Sequence, residues 1–96
     1  MGAPGFVQGG DRKYDSITEI DIHGMRPEEA VKALCRIIEE APEHVYRIRV
    51  IHGSRRGNAL QRAIYDEFDY FHTSDRVLRM EGGSSPGITE IVLREW

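Results

Sequence analysis

Two stretches of alternating apolar residues in this chain end on the same tripeptide, Ile22-His23-Gly24 and Ile51-His52-Gly53, and each leads into a helical pattern. That repeat constrains the fold more than any other feature. In residues 17–23, Ile20 and Ile22 fall on one face of a strand while Glu19, Asp21 and His23 fall on the other. Gly24 breaks the strand. Pro27 then occupies a first helical position, Glu28 and Glu29 suit the positive end of a helix dipole, and Ala30, Val31, Leu34, Ile38 and Ala41 recur at helical spacing up to Pro42. The second unit repeats the plan. Residues 46–51 set Ile48 and Val50 opposite Arg47, Arg49 and Ile51, and a helix over 59–71 carries Leu60, Ala63, Ile64 and Phe68 on one side. A short strand over 76–80, a Gly-Gly-Ser-Ser-Pro-Gly turn at 82–87 and a final strand over 88–94 with Ile91 and Leu93 on one face complete the chain.

The order β-α-β-α-β-β predicts an α/β domain, an α+β two-layer sandwich whose mixed four-stranded sheet carries two helices, most simply on one face. The first three strands, joined through helices, can run parallel, and the last pair can form a hairpin. At 96 residues the chain is one domain. Residues 1–16, with four glycines in the first ten, read as a flexible leader or the end of a linker, and 17–96 as the folded unit. A core of this size leaves little room for an enclosed cavity, so a surface site is expected.

Parallel strands linked by helices bring their carboxyl ends to one edge of the sheet, where ligands of open α/β sheets collect. His23 and His52 should therefore arrive on a common rim. Imidazole titrates near neutrality, so a pair can act as general base and general acid. Asp21 shares a strand face with His23 and can orient it. After His52, the loop Gly53-Ser54-Arg55-Arg56-Gly57 opens a helix, where amides and guanidinium groups attract anions. The chain is acidic overall, with a formal net charge of −3, yet residues 44–64 hold five arginines (Arg47, Arg49, Arg55, Arg56 and Arg62) and no acid. Local charge governs phosphate binding more than the sum does. Some of these arginines are expected to pair with acids on neighbouring elements.

Other features are plainer. The single Cys35 excludes an intrachain disulfide and reads as a buried helical thiol. The histidine and cysteine spacing matches no usual zinc pattern, so no metal site is assigned, although Asp21, His23 and His52 could hold a divalent ion weakly. Ser54 lacks the strand–elbow setting of a nucleophile. Tyr65, Phe68, Tyr70 and Phe71 read as core and helix-edge packing, while Tyr46 and Trp96 are available for stacking on bases. No run of ~18 apolar residues is present and residues 1–10 lack a signal-peptide pattern, so a cytoplasmic location without membrane contact is expected.

Ile20-Asp21-Ile22-His23-Gly24, with Glu28-Glu29-Ala30 after it, resembles the Leu-Asp-Leu-His-Gly opening of Smr (small MutS-related) domains. Val50-Ile51-His52-Gly53, with Gly57 and Ala59-Leu60 following, is similar to the second motif of that family, although Arg55 stands where a second glycine is usual. The resemblance implies a sandwich like the C-terminal domain of a bacterial translation initiation factor. It also implies DNA nicking or RNA cleavage, with the ribosome or a DNA-repair protein as further partners. By motif position Asp21 and His23 carry over as the catalytic pair, joined by His52 from the second motif. Gly24, Gly53, Ser54, Arg55, Arg56, Gly57, Arg47 and Arg49 are the expected phosphate-binding set. RNA cleavage through the 2′-hydroxyl needs no cofactor. DNA nicking must use water and points to Mg2+ or Mn2+. The rival readings are a nucleic-acid-binding module without chemistry and a protein-interaction domain of a larger repair or translation factor.

Overall fold

The computed structural model describes residues 16–55 and 57–95. The leader assigned to residues 1–16 lies outside the described residues apart from Ser16, as do Arg56 and Trp96. The elements are β1 (Ile17–Asp21), α1 (Pro27–Glu40), β2 (Arg47–Ile51), α2 (Ala59–Tyr65) running into a π-helical turn (Asp66–Tyr70), β3 (Arg79–Gly82) and β4 (Ile88–Val92). The sheet order is β1-β2-β4-β3. β1 and β2 are parallel, β4 is antiparallel to β2, and β3 is antiparallel to β4. The first three strands therefore share a direction, as expected, and β4 is inserted between β2 and β3. One edge of the sheet collects the carboxyl ends of β1, β2 and β3 and the amino end of β4.

The core forms where the two helical stripes meet the inward strand positions. Ile20, Ile48, Val50 and Ile91 from the strands and Ile22 just beyond β1 pack with Ala30, Leu34 and Ile38 of α1, Ile64 of α2 and Phe68 of the π-turn. All are essentially buried, and each large aliphatic or aromatic side chain contributes about 1.5–3 kcal/mol by leaving water. Cys35 is half-buried beside this cluster. Burial pushes its thiol pKa up, and Glu67 and Glu39 add to that, which suits an inert thiol.

The ends of α1 are secured differently. At the start, the Arg26 backbone N–H donates to Glu29 Oε1 (3.3 Å), and Pro27 fills a position with no intrahelical donor to lose. At the finish, no basic residue of the helix faces the orphan carbonyls. Arg76, from the segment before β3, supplies them instead: its guanidinium donates to Ile38 O (2.6 Å), Glu39 O (2.8 Å) and Ala41 O (3.0 Å).

The second helix departs from the expected regular 59–71 pattern. Its last turn widens, with Phe71 N–H reaching back to Asp66 O (2.8 Å). Phe68 stays in the core, but Tyr70 and Phe71 stand 79% and 67% exposed as an edge-on pair, not packed against the core. The third strand begins at Arg79, not at Arg76, because the backbone at 74–77 forms a turn, with Val77 N–H donating to Ser74 O (3.3 Å).

The face of the sheet away from the core carries charge. Arg47 bonds Glu90 and Glu81, Arg49 bonds Glu90 (3.0 Å), and Arg79 bonds Glu81 (2.7 Å) and Glu95 (2.6 Å). Burial alone would raise the Glu90 pKa, but hydrogen bonds from Arg47 and Arg49 outweigh it and hold the carboxyl below its usual range.

Candidate nucleic-acid site

Three strand ends meet at the carboxyl edge. Ile20 pairs with Val50 and Asp21 with Ile51, and Ile22 N–H continues the ladder to Ile51 O (2.9 Å). This register sets Ile22 beside His52 and His23 beside Gly53. A Cβ built on Gly53 would lie 3.7 Å from the Cβ of His23. Gly53 itself turns with φ +80°, a left-handed conformation that glycine adopts without steric cost. The two Ile-His-Gly corners are thus neighbours on one rim, but they are offset by one residue. That offset gives the two histidines opposite environments.

His23 belongs to the exposed face. Its side chain is 70% exposed. Asp21 Oδ1 accepts both the backbone N–H of His23 (3.0 Å) and its ring Nδ1 (2.5 Å). A carboxylate can only accept, so Nδ1 carries a proton, and in the neutral ring Nε2 keeps its lone pair. Partial burial pushes the Asp21 pKa up. The side-chain bond from His23, its backbone N–H and its charge more than compensate, and the carboxyl sits below its usual value. Asp21 therefore stays ionised beside the ring it orients.

His52 belongs to the core face, continuing the inward series Ile48 and Val50. It is 5% exposed. Its Nδ1 donates to Gly53 O (2.9 Å), and Nε2 pairs with Thr89 Oγ1 (2.8 Å), a residue of β4 that is fully buried. Both ring nitrogens are committed to the protein. The ring expected to supply the second half of an acid–base pair is thus bonded within the protein at both nitrogens. The ring ties the second corner to β4.

The expected phosphate-binding residues divide as well. Gly24, Ser54, Arg55 and Gly57 are exposed on the loops of the rim. Arg56 lies outside the described residues. Arg47 and Arg49 are not brought to the rim: they lie roughly 17 and 10 Å back along β2 at ~3.3 Å per residue. Both are engaged by carboxylates on the open face of the sheet.

One component of the rim was missed in the sequence, where residues 82–87 read only as a turn. Gly87 O accepts the N–H groups of both His52 (2.9 Å) and Gly53 (3.0 Å). A Cβ on Gly87 would sit 3.1 Å from Gly53 Cα. The β3–β4 turn is therefore clamped against the second corner. The signal was Gly87 directly before an alternating strand, but its partner could not be known without the strand order.

Among the described residues, no three or more His, Cys, Asp or Glu side chains group as a metal site. With His52 closed and Asp21 Oδ1 bonded to His23, the donors at the rim do not fit a firmly held divalent ion.

Comparison with known proteins agrees with this architecture. The Smr domain family model matches residues 20–86. Among solved structures, the crystal structure of the Smr domain of Thermus thermophilus MutS2 is similar, with a TM-score of 0.65 and 26% sequence identity, covering 80% of this chain and 98% of that one. No curated protein matches the chain. With both motifs at adjacent strand ends and the family match spanning most of the sequence, the chain belongs to the Smr domain family of nucleic-acid-binding, nuclease-like modules.

Proposed function

We propose that this domain is an endonuclease that cuts single-stranded RNA, with His23 as its acid–base residue. The observation that carries this reading is the Asp21–His23 pair: an exposed imidazole, fixed with its proton on Nδ1, offering Nε2 at the rim beside a glycine corner. Nε2 accepts the proton of a ribose 2′-hydroxyl, and the freed oxygen attacks the adjacent phosphorus. The 5′-oxygen leaves with a proton from solvent, giving a 2′,3′-cyclic phosphate end, and the imidazolium then returns its proton to water. Asp21, ionised and bonded to Nδ1, stabilises the imidazolium while it exists. Arg55 and exposed loop amides supply positive charge where the phosphorane gathers negative charge.

This route uses one imidazole, not the two expected from the repeat, and it requires no cofactor because the nucleophile belongs to the substrate. DNA nicking lacks that nucleophile, and no step through a divalent ion is derived from this donor set. The closure of His52 favours a second reading, a nucleic-acid-binding module without chemistry. Incubating the domain with labelled single-stranded RNA, with and without a chelator, separates the two. Cleavage that persists with chelator and falls at least about 100-fold in His23→Ala, with binding retained, supports the enzyme. Binding without cleavage by the wild type, with or without Mg2+ or Mn2+, supports the module.

A further inference from the structure

We infer that the β3–β4 turn, residues 83–87, forms a third wall of the nucleic-acid site, with the Ser84 and Ser85 hydroxyls donating to a backbone phosphate next to the one at His23. The inference rests on the proposed action on RNA and adds a subsite to it.

The strand directions put this turn on the same edge as the His23 and Gly53 corners. The spacing is close at each step, from His23 to Gly53 and from Gly53 to Gly87. A single strand whose phosphate lies at His23 Nε2 and that runs across the sheet edge toward β4 passes its neighbouring nucleotide over Gly53 and along this turn.

Main-chain bonds hold the turn and leave its serine hydroxyls free among the described residues. Its internal bonds are all main-chain: Gly83 N–H to Ile88 O (2.9 Å) and Ile88 N–H to Ser85 O (3.1 Å). Its attachment to the second corner is main-chain too, through Gly87 O. A Cβ at Gly83 would meet Ile88 at 2.4 Å, so the turn is packed as tightly as glycine allows. Serine in a turn commonly spends its hydroxyl on nearby backbone. Here Ser84 and Ser85 are exposed, and their hydroxyls take no partner among the described residues. A rigid frame thus presents two donors to solvent with little ordering left to lose on binding. Hydroxyls and main-chain amides are regular phosphate contacts that position a strand without reading its sequence.

Charge does not oppose this. The acids that flank the turn in sequence, Glu81 and Glu90, are each bonded by two arginines.

The test measures binding and cleavage of a fluorescein-labelled single-stranded oligoribonucleotide by the wild type, by Ser84→Ala/Ser85→Ala and by Ser84→Thr/Ser85→Thr. The alanine pair should raise Kd and KM about tenfold, equivalent to ~1.4 kcal/mol, and leave kcat within about twofold. The threonine pair, which keeps both hydroxyls, should restore tight binding. If the wild type binds and cuts RNA and the alanine pair binds equally well, the subsite is overturned while the proposed function stands. A fall in kcat at unchanged KM also overturns it. If the wild type neither binds nor cuts RNA, the proposed function fails and takes the subsite with it.

Discussion

Replacing His52 with alanine removes an imidazole that bridges Gly53 O and Thr89 Oγ1 from a 5% exposed position. Thr89 is fully buried, so its hydroxyl is left without a partner, at about 1–3 kcal/mol. The Gly53 carbonyl is in a half-buried residue and recovers water at smaller cost. The emptied ring volume adds a cavity penalty, since nearby backbone is pinned by Gly87. Together these give about 2–4 kcal/mol, or a fall in Tm of roughly 10–25 °C for a domain of this size. His23→Ala removes a 70% exposed ring and should change stability by no more than about 0.5 kcal/mol. Urea unfolding of both variants, read beside RNA cleavage, is the assay. The expected pattern is a His23 variant that is stable and inactive, and a His52 variant that is destabilised but, below its new melting point, still cuts. A His52→Ala protein as stable as wild type, yet devoid of activity, would refute the assignment of that ring to structure.

Three further outcomes are expected. Asp21 has a folded-state pKa below its ordinary value. The stability it contributes is therefore complete above the ordinary carboxyl range and lost as pH falls through the folded value. Thermal melts of Asp21→Asn between about pH 5 and pH 2 should show a shallower acid decline than wild type, and identical curves would contradict this. Arg76→Ala strips three carbonyl bonds from the end of α1 and should cost about 2 kcal/mol in urea unfolding, whereas no change would mean water replaces the guanidinium freely. Arg55→Ala should weaken RNA binding and reduce the slope of log Kd against log salt by about 1. Arg49→Ala, whose charge is already spent on Glu90, should leave that slope unchanged.

The fold was readable because its signals are local. Ile20 and Ile22, Ile48 and Val50, and the Ala30–Leu34–Ile38 stripe each announce a buried face by period alone, and all are buried. The shared rim followed from two strands that each feed a helix. The same periodicity contained the burial of His52. Counting by twos from Ile48 and Val50 lands on His52, whereas counting from Glu19 and Asp21 lands on His23. Matching the tripeptides by sequence hid this difference of parity, and the parallel register exposes it by setting Ile22 beside His52. What could not be read depends on contacts distant in the chain. Glu90 reaches Arg47 and Arg49 only because β4 enters between β2 and β3, and Arg76 finds the α1 carbonyls across 35 or more residues. The widening at Asp66–Tyr70, which carries Tyr70 and Phe71 outward, leaves no mark in the apolar pattern before Phe68.

The central claim is that one imidazole of the rim is open to substrate and the other is closed. Long-range proton–nitrogen NMR of the histidine rings tests it directly, recorded with and without a single-stranded oligonucleotide made uncleavable by 2′-O-methylation. The account predicts that His23 holds its proton on Nδ1 when neutral and that its Nε2 resonance moves on binding, while both nitrogens of His52 stay in place. A His52 ring that responds to the oligonucleotide while His23 remains silent would contradict it.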